Sequence, residues 1–429
     1  MDISYGKYLD PDRSLRQAFG VKGIKKTYFQ TISPSTVSEG HSFTINIPSL
    51  SENEVIVPGS VKLCGDVELN SVDANKRVVD NFGRNRFRSV VVRISGEEVL
   101  NLQDANILLS WMDLWKSERE LEQMIGQGVV LDDDDRGQNL NCLKIRCNSE
   151  DKDESKLGDL ALSKVHKNNF TTPLDFEILS TSGPFYQAGL KGRLQFDLLY
   201  NNNSELIVAT DKESKIKEKN LALEFVVTNN SSLANDVKGR YMSGHRVLYD
   251  RIVRLEQRNL KDSDTLWNFE VNVTCKSLKG LLFLWKNDEG FGRKTDDFVN
   301  PSIKNITLQI KGQPNMLFPQ GMKSKHFYEQ AYNHFVDMKK GQETGKQYGL
   351  TNMSPKKYHE TGFGLWVDFR SVHDNLIHGS GMRFDKVGDL IAVRMEKAKG
   401  TNGNLRCFVY AFMDAVLHFS NGSFSNIEY

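Results

Sequence analysis

A chain of 429 residues is too long for one ordinary core and fits two domains of about 200 residues each. With 39% hydrophobic and 26% charged residues it has apolar surface enough for two cores, which excludes wholesale disorder. The formal net charge of +1 lacks the basic bias of a protein that binds nucleic acid tightly by itself, though such a chain can still line a nucleic-acid compartment.

Residues 1–40 are polar, with basic residues at Arg13, Arg16, Lys22, Lys25 and Lys26. They read as an N-terminal arm, and a solvated tail fits as well. Met1 to Asp12 has no apolar region of a secretory signal. No stretch reaches the roughly 18 apolar residues of a membrane helix. Residues 41–210 form the first predicted unit. His41 to Pro48 alternates apolar and polar residues, the period of a half-buried strand. Val55-Ile56-Val57, the break at Pro58-Gly59, Val61 to Leu69, and Phe87 to Ile94 with a turn at Gly96 continue the strand series. From Leu102 to Ile125 the period becomes helical, with Ala105, Leu108, Leu109, Met112, Trp115, Leu121, Met124 and Ile125 on one face. Asp104 stands where a helix dipole favours a carboxylate, and Gly126 is a stop.

Residues 126–169 are a polar break containing Asp132-Asp133-Asp134-Asp135 and room for a short strand at Leu140 to Ile145. Contiguous carboxylates splay apart, whereas calcium loops space their ligands with turn residues, so the run reads as solvated loop. Strands resume at Leu174 to Leu179, Gly192 to Tyr200 and Leu206 to Val208. Residues 211–220 are charged and read as a linker. The second unit, 221–420, opens with the strand Leu221 to Val227 and a helical or irregular insertion at 232–254. Strands follow at Leu266 to Val273, Gly280 to Trp285 and Ile303 to Lys311. A helix from Ser324 to Met338 presents Tyr328, Ala331, Tyr332, Phe335 and Met338. A second polar break, 339–361, precedes strands at Leu365 to Phe369, Leu390 to Met395 and Cys407 to Phe419. Residues 421–429 read as a tail.

The two units repeat one plan. Ser89 to Gly96 and Asn305 to Gly312 each read as a strand closed by a glycine turn and followed by an amphipathic helix, half a chain length apart. Leu194 to Tyr200 looks similarly matched to Tyr410 to Phe419. Many short strands, few helices and long polar loops predict an all-β chain of two tandem eight-stranded antiparallel jelly rolls, each interrupted by one helix.

No chemistry stands out. The chain has no Walker A loop, GxSxG elbow or HExxH motif. His373, His378 and His418 lie near Asp368, Asp374 and Asp414, but nine His among 55 acidic residues produce such neighbours by chance. No catalytic, cofactor-binding or metal-ligating residue is assigned, and no cofactor is expected. Cys64, Cys275 and Cys407 sit in apolar strands and read as buried reduced thiols. Cys142 and Cys147 fall on opposite faces of a strand, which disfavours a disulfide or a shared zinc. The sequons at Asn169, Asn272 and Asn305 read as chance, the last two lying in apparently buried strands, and the protein is expected to mature in a reducing compartment. The proline-bounded segment Pro314 to Met322 reads either as a contact surface or as a loop packed on its own domain.

Several phrases carry a family resemblance: Val247-Leu248-Tyr249-Asp250-Arg251, Leu278-Lys279-Gly280-Leu281-Leu282, Ile310 to Leu317 with Gln320-Gly321-Met322, Leu365-Trp366-Val367-Asp368, and His378-Gly379-Ser380-Gly381. Glu54 to Ser60 and Val92 to Gly96 agree more loosely. Over about residues 40–420 the chain resembles the double jelly-roll major capsid proteins of tailless icosahedral DNA viruses, in the branch with Polinton and adintovirus elements. The resemblance implies a homotrimer with a six-fold outline that tiles an icosahedral shell, with upright rolls and outer towers of loops. It implies contacts with neighbouring capsomers, penton and minor capsid proteins, and a place in the virion after synthesis in the host cytosol. Residues 1–30, with six Lys or Arg against three Asp, would then lie at the inner base and touch viral DNA weakly. Two other readings stay open: a tandem β-sandwich protein binding carbohydrate or a receptor, which would normally carry a signal peptide, and a β-sandwich hydrolase with carboxylates converging in a cleft.

Overall fold

The computed structural model describes residues 3–5, 24–34, 36–57, 59–70, 77–117, 120–121, 123–129, 169–174, 193–208, 214–287, 298–314, 318–336, 351–370, 381–386 and 389–429. In the first half the strands are β1 Ile3–Tyr5, β2 Ile24–Thr31, β3 Thr36–Ser38, β4 Ser42–Asn46, β5 Glu54–Ile56, β6 Lys62–Asn70, β7 Arg77–Val78, β8 Phe87–Ile94, β9 Glu97–Gln103, β10 Asn169–Pro173, β11 Leu194–Tyr200, β12 Ile207–Val208 and β13 Lys215–Asn229. Helices α1 Phe82–Asn85, α2 Ala105–Asp113 and α3 Asn203–Leu206 interrupt them, and α4 Ser231–Ser243 leads to the second half. There follow β14 Arg246–Lys261, β15 Leu266–Val271, β16 Cys275–Asn287, β17 Ile303–Ile310, β18 Gln313–Pro314, β19 Met322–Lys323, α5 Phe327–Phe335, α6 Pro355–Glu360, β20 Gly364–Asp368, β21 Met382–Phe384, β22 Ile391–Lys397, β23 Asn404–Ser420 and β24 Ser423–Glu428.

Pairing sorts these strands into two jelly rolls. The first packs the sheet β10-β6-β13-β2 against β4-β11-β8-β9. β3 continues the line of β2 along β13, and β5 continues that of β6. The second packs β14-β23-β16-β20 against β15-β22-β17-β18, with β21 continuing β20 along β16. Alternation builds the thin sheets: in β11, Leu194, Phe196, Leu198 and Tyr200 point inward while Gln195, Asp197 and Leu199 are half-buried.

The expected repeat holds at its main anchor. β8 and β17 hold the same place in their sheets, and each ends in a two-residue turn with both φ angles positive: Ser95 53° and Gly96 88°, Lys311 52° and Gly312 75°. That is the hairpin turn that matches strand twist. The other anchor is corrected. β11 pairs with β8 as β22 pairs with β17, so Leu194 to Tyr200 answers to Ile391–Lys397. Tyr410 to Phe419 lies in β23, the counterpart of β13. Apolar runs closed by asparagine look alike, whereas pairing is specific.

Other boundaries shift too. Residues 24–31 and 36–38, expected within an arm, form the edge of the first roll. Residues 215–220, expected as linker, begin β13, so first-roll strand extends to Asn229 and α4 is the connector. The expected insertion 232–254 is helical only to Ser243; from Arg246 it is strand. Residues 423–428, expected as tail, pair with β23. Of the helix expected over 102–125, α2 covers Ala105–Asp113 and residues 120–121 are again helical, and that over 324–338 comprises a 3-10 turn, Ser324–His326, and α5. Asp132 to Asp135, the strand at 140–145, Cys142, Cys147, 175–179, 337–350, His373, Asp374 and His378 lie outside the described residues, as do Arg13, Arg16 and Lys22.

The registers give the molecule two unlike ends. β6, β9 and β11 all finish where β13 begins; β16 and β22 finish where β23 begins. At the opposite end α4 runs from the close of β13 to the start of β14, where β1 lies parallel to Arg246–Leu248. The connections after β6, β9 and β16 thus leave from one end; the connection from β10 to β11 and the inter-roll connector belong to the other.

Candidate functional site

The feature with most side-chain chemistry is the seam between the rolls. Helix α2 of the first roll carries Trp111, fully buried, whose Nε1 donates to Gly362 O at 3.0 Å. Its ring meets Phe335 edge-on at 4.8 Å and Trp115 at 5.7 Å. Trp115 stacks on Tyr328, and Phe335 packs on Trp366 and Phe412. Edge-to-face packing of this kind adds about 0.5–1.5 kcal/mol per pair beyond burial. Gly364 is required here: a Cβ would stand 2.6 Å from Trp111. Tyr358 donates to Gly364 O at 2.5 Å, and burial holds its phenol far above the ordinary range.

Asp104 is the polar lock beside this cluster. It precedes α2 in a left-handed conformation, φ 49°, with the side chain buried. Its carboxylate accepts from Arg88 Nε at 3.1 Å and from Arg254 of β14, across the seam. Its carbonyl accepts from Tyr410 at 3.0 Å. Burial, reinforced by the Asp104 charge, raises the Tyr410 phenol well above its usual value, so it stays a donor. Tyr249 donates to Val99 O at 2.9 Å, and Arg406 meets Glu205 at 2.9 Å. A main-chain bond from Asn352 to Lys116 O, 2.9 Å, adds to the connection.

Of the histidines and acids singled out as neighbours, His418, Asp368 and Asp414 are described, and each has a different partner. His418 meets Glu428 at 3.0 Å, and Lys276 meets the same carboxylate at 2.8 Å. The hydrogen bonds from Lys276 and His418 lower the Glu428 carboxyl. Asp414 accepts from Ser277 at 2.5 Å and lies 3.7 Å from Lys279. Asp368 is clasped by Arg370. Among the described residues no group of three His, Cys, Asp or Glu side chains is arranged to hold a metal ion. No described helix is long and apolar enough to cross a membrane. Cys64, Cys275 and Cys407 are buried and free. Burial pushes all three thiols up, Cys275 to about 11. Phe318 and Met322 pack on the core, favouring the self-packed reading for 318–322, while residues 315–317 lie outside the described residues. Asn272 is exposed just past β15, contrary to its expected burial.

Sequence reading found Trp115 and Phe335 as helix-face residues, left Trp111 off that face, and could not pair them across the seam. Asp104 was expected only to favour the helix dipole; its partners Arg254 and Tyr410 are about 150 and 306 residues away in sequence.

No protein-family model and no curated protein matches the sequence. Solved structures do match the fold. A chain of the PBCV-1 virus capsid aligns with TM-score 0.58 at 11% identity, covering 95% of this chain and 97% of that one. The mavirus major capsid protein aligns with TM-score 0.55 at 10% identity, covering 93% and 89%. A chain of the Sputnik virophage aligns with TM-score 0.56 at 14% identity, covering 94% and 89%. The class this defines is the double jelly roll.

Proposed function

We propose that this protein is a major capsid protein, the structural subunit of an icosahedral virus shell, and that three copies form a capsomer with a six-fold outline. The observation that carries this reading is the joining of two rolls by the aromatic seam into one block, with the longest connections, those after β9 and β16, leaving from the same end. Solved capsid chains share that double fold over nearly their whole length. Two similar units per chain let a closed three-fold ring present six similar sides, and repeated use of one surface by symmetry builds large shells. The finer proposals follow the sequence: affiliation with Polinton and adintovirus elements, contacts with penton and minor proteins, and a genome-facing role for residues 1–30. β1, seated beside Arg246 at the connector end, supports placing that segment at the base.

The test is the mass of the purified full chain by light scattering or native mass spectrometry. A stable trimer is expected, with an interface well beyond the roughly 1,600 Å² of a standard complex. A monodisperse monomer at micromolar concentration overturns the reading. Removing residues 1–23 should spare the trimer and impair shell assembly; normal, full particles from the truncated chain refute the role of that segment.

A further inference from the structure

The second roll buries a lysine between two aspartates on three adjacent strands. Lys279 projects from a bulge in β16, Asp414 from the central strand β23 and Asp250 from β14. Asp250 and Asp414 are directly opposed in the ladder. The Lys279 side chain is 2% exposed, Asp414 9% and Asp250 12%. Lys279 Nζ contacts Asp250 Oδ1 and stands 3.7 Å from Asp414 Oδ1. Ser277 donates to the other Asp414 oxygen at 2.5 Å and accepts from Gly381 N at 2.8 Å, which fixes that carboxylate. Phe412, next on the same face of β23 and part of the aromatic seam, adjoins the group.

We propose that these three residues form an intramolecular isopeptide bond, with Lys279 as nucleophile, Asp250 as electrophile and Asp414 as proton relay. In the balanced step the ammonium passes a proton through Asp414 to the Asp250 carboxylate. The neutral amine attacks Cγ, the C–N bond forms, and the Cγ–OH bond breaks. Asp414 takes the second amine proton and delivers it to the departing hydroxide. One water leaves and Asp414 ends as it began. The strands hold amine and carboxyl in contact, so a reaction that is slow between separate molecules becomes intramolecular. Condensation also removes two buried charges that are costly to desolvate, leaving a neutral amide.

A second buried pair serves as the internal contrast. Lys397 and Asp262 lie 3.0 Å apart with side chains 0% and 1% exposed. There, however, Lys397 Nζ donates to the carbonyls of Asp262, Asp264 and Ala398 at 2.6, 3.1 and 2.7 Å. The three carbonyls engage the protons of the amine, and among the described residues Lys397 makes no ion pair with a carboxylate other than Asp262. It stays an ion pair.

The test is the intact mass of the full chain, purified and denatured. The expected result is a deficit of one water, and a branched peptide joining the segments around Asp250 and Lys279 after proteolysis. Full sequence mass overturns the proposal, as does a deficit mapping to Lys397. Asp414→Asn keeps the shape of the relay and should restore full mass in folded protein; a persistent crosslink in that variant refutes the relay. Should Asp414→Asn fail to fold, the wild-type mass alone decides the bond.

Discussion

The central strands of the two rolls hold the same place and have opposite surroundings. In β13, Lys215, Lys217 and Lys219 are exposed and alternate with buried Ile216 and Glu218. In β23, every residue from Cys407 to Ala415 is buried. Over Lys215 to Lys219 the first sheet faces its own core on one side only, although β13 is buried on both faces at Leu221 to Leu223; the other sheet is covered on both along Cys407 to Ala415, because α2, α5 and the seam aromatics lie over its outer face. The pattern is the difference between alternating one-sided strands and continuous two-sided ones. Here it arises within one fold, from what is packed against a sheet.

Substitutions can break or sharpen this contrast. Phe412→Ala, on the covered outer face of β23, should cost about 3–5 kcal/mol, as for other buried aromatic truncations, read from the denaturant midpoint of the purified chain. A loss below about 1 kcal/mol would mean that the seam does not hold the second sheet. Asp104→Ala should cost about 1–3 kcal/mol by removing the carboxylate that Arg88 and the cross-seam Arg254 share. Removing Arg254 as well should then cost little more, and an additive double mutant would show that the two do not act as a pair. Gly96→Ala and Gly312→Ala should each cost about 1–2 kcal/mol, because both turns demand positive φ. Neither glycine has a neighbour that a Cβ would strike, so the two costs should agree. Lys217→Ala, on the open face of β13, should change stability by no more than about 0.5 kcal/mol; a large loss would reveal cover on that face within the chain.

The same contrast decides what the sequence made legible. The continuous apolar run of β23 was readable as a strand at once. The sequence Lys215-Ile216-Lys217-Glu218-Lys219-Asn220 looked like a linker because its one inward acid, Glu218, is neutralised by Arg86, fully buried and 132 residues away. β2 was hidden in the same way, since lysines such as Lys25 and Lys26 suit an edge strand as well as a solvated arm. The glycine hairpins were visible because turn chemistry is local. The seam was invisible because each of its aromatics satisfies a helix or strand period alone. Its partners come from distant segments, and no local period encodes that meeting. The Lys279 group was passed over for the same reason: Asp414 was weighed against a nearby histidine, whereas its neighbours lie on other strands.

The seam also has a mechanical consequence. Trp111 enters the second roll like a dowel, and Asp104, Tyr249 and Glu205 pin the joint along its length. A block joined in this way resists folding along its midline. Any closed surface tiled with such blocks must find its curvature at the borders between molecules, where contacts are free to tilt. The sharpness of a vertex is then set by how neighbours meet, while each tile stays flat.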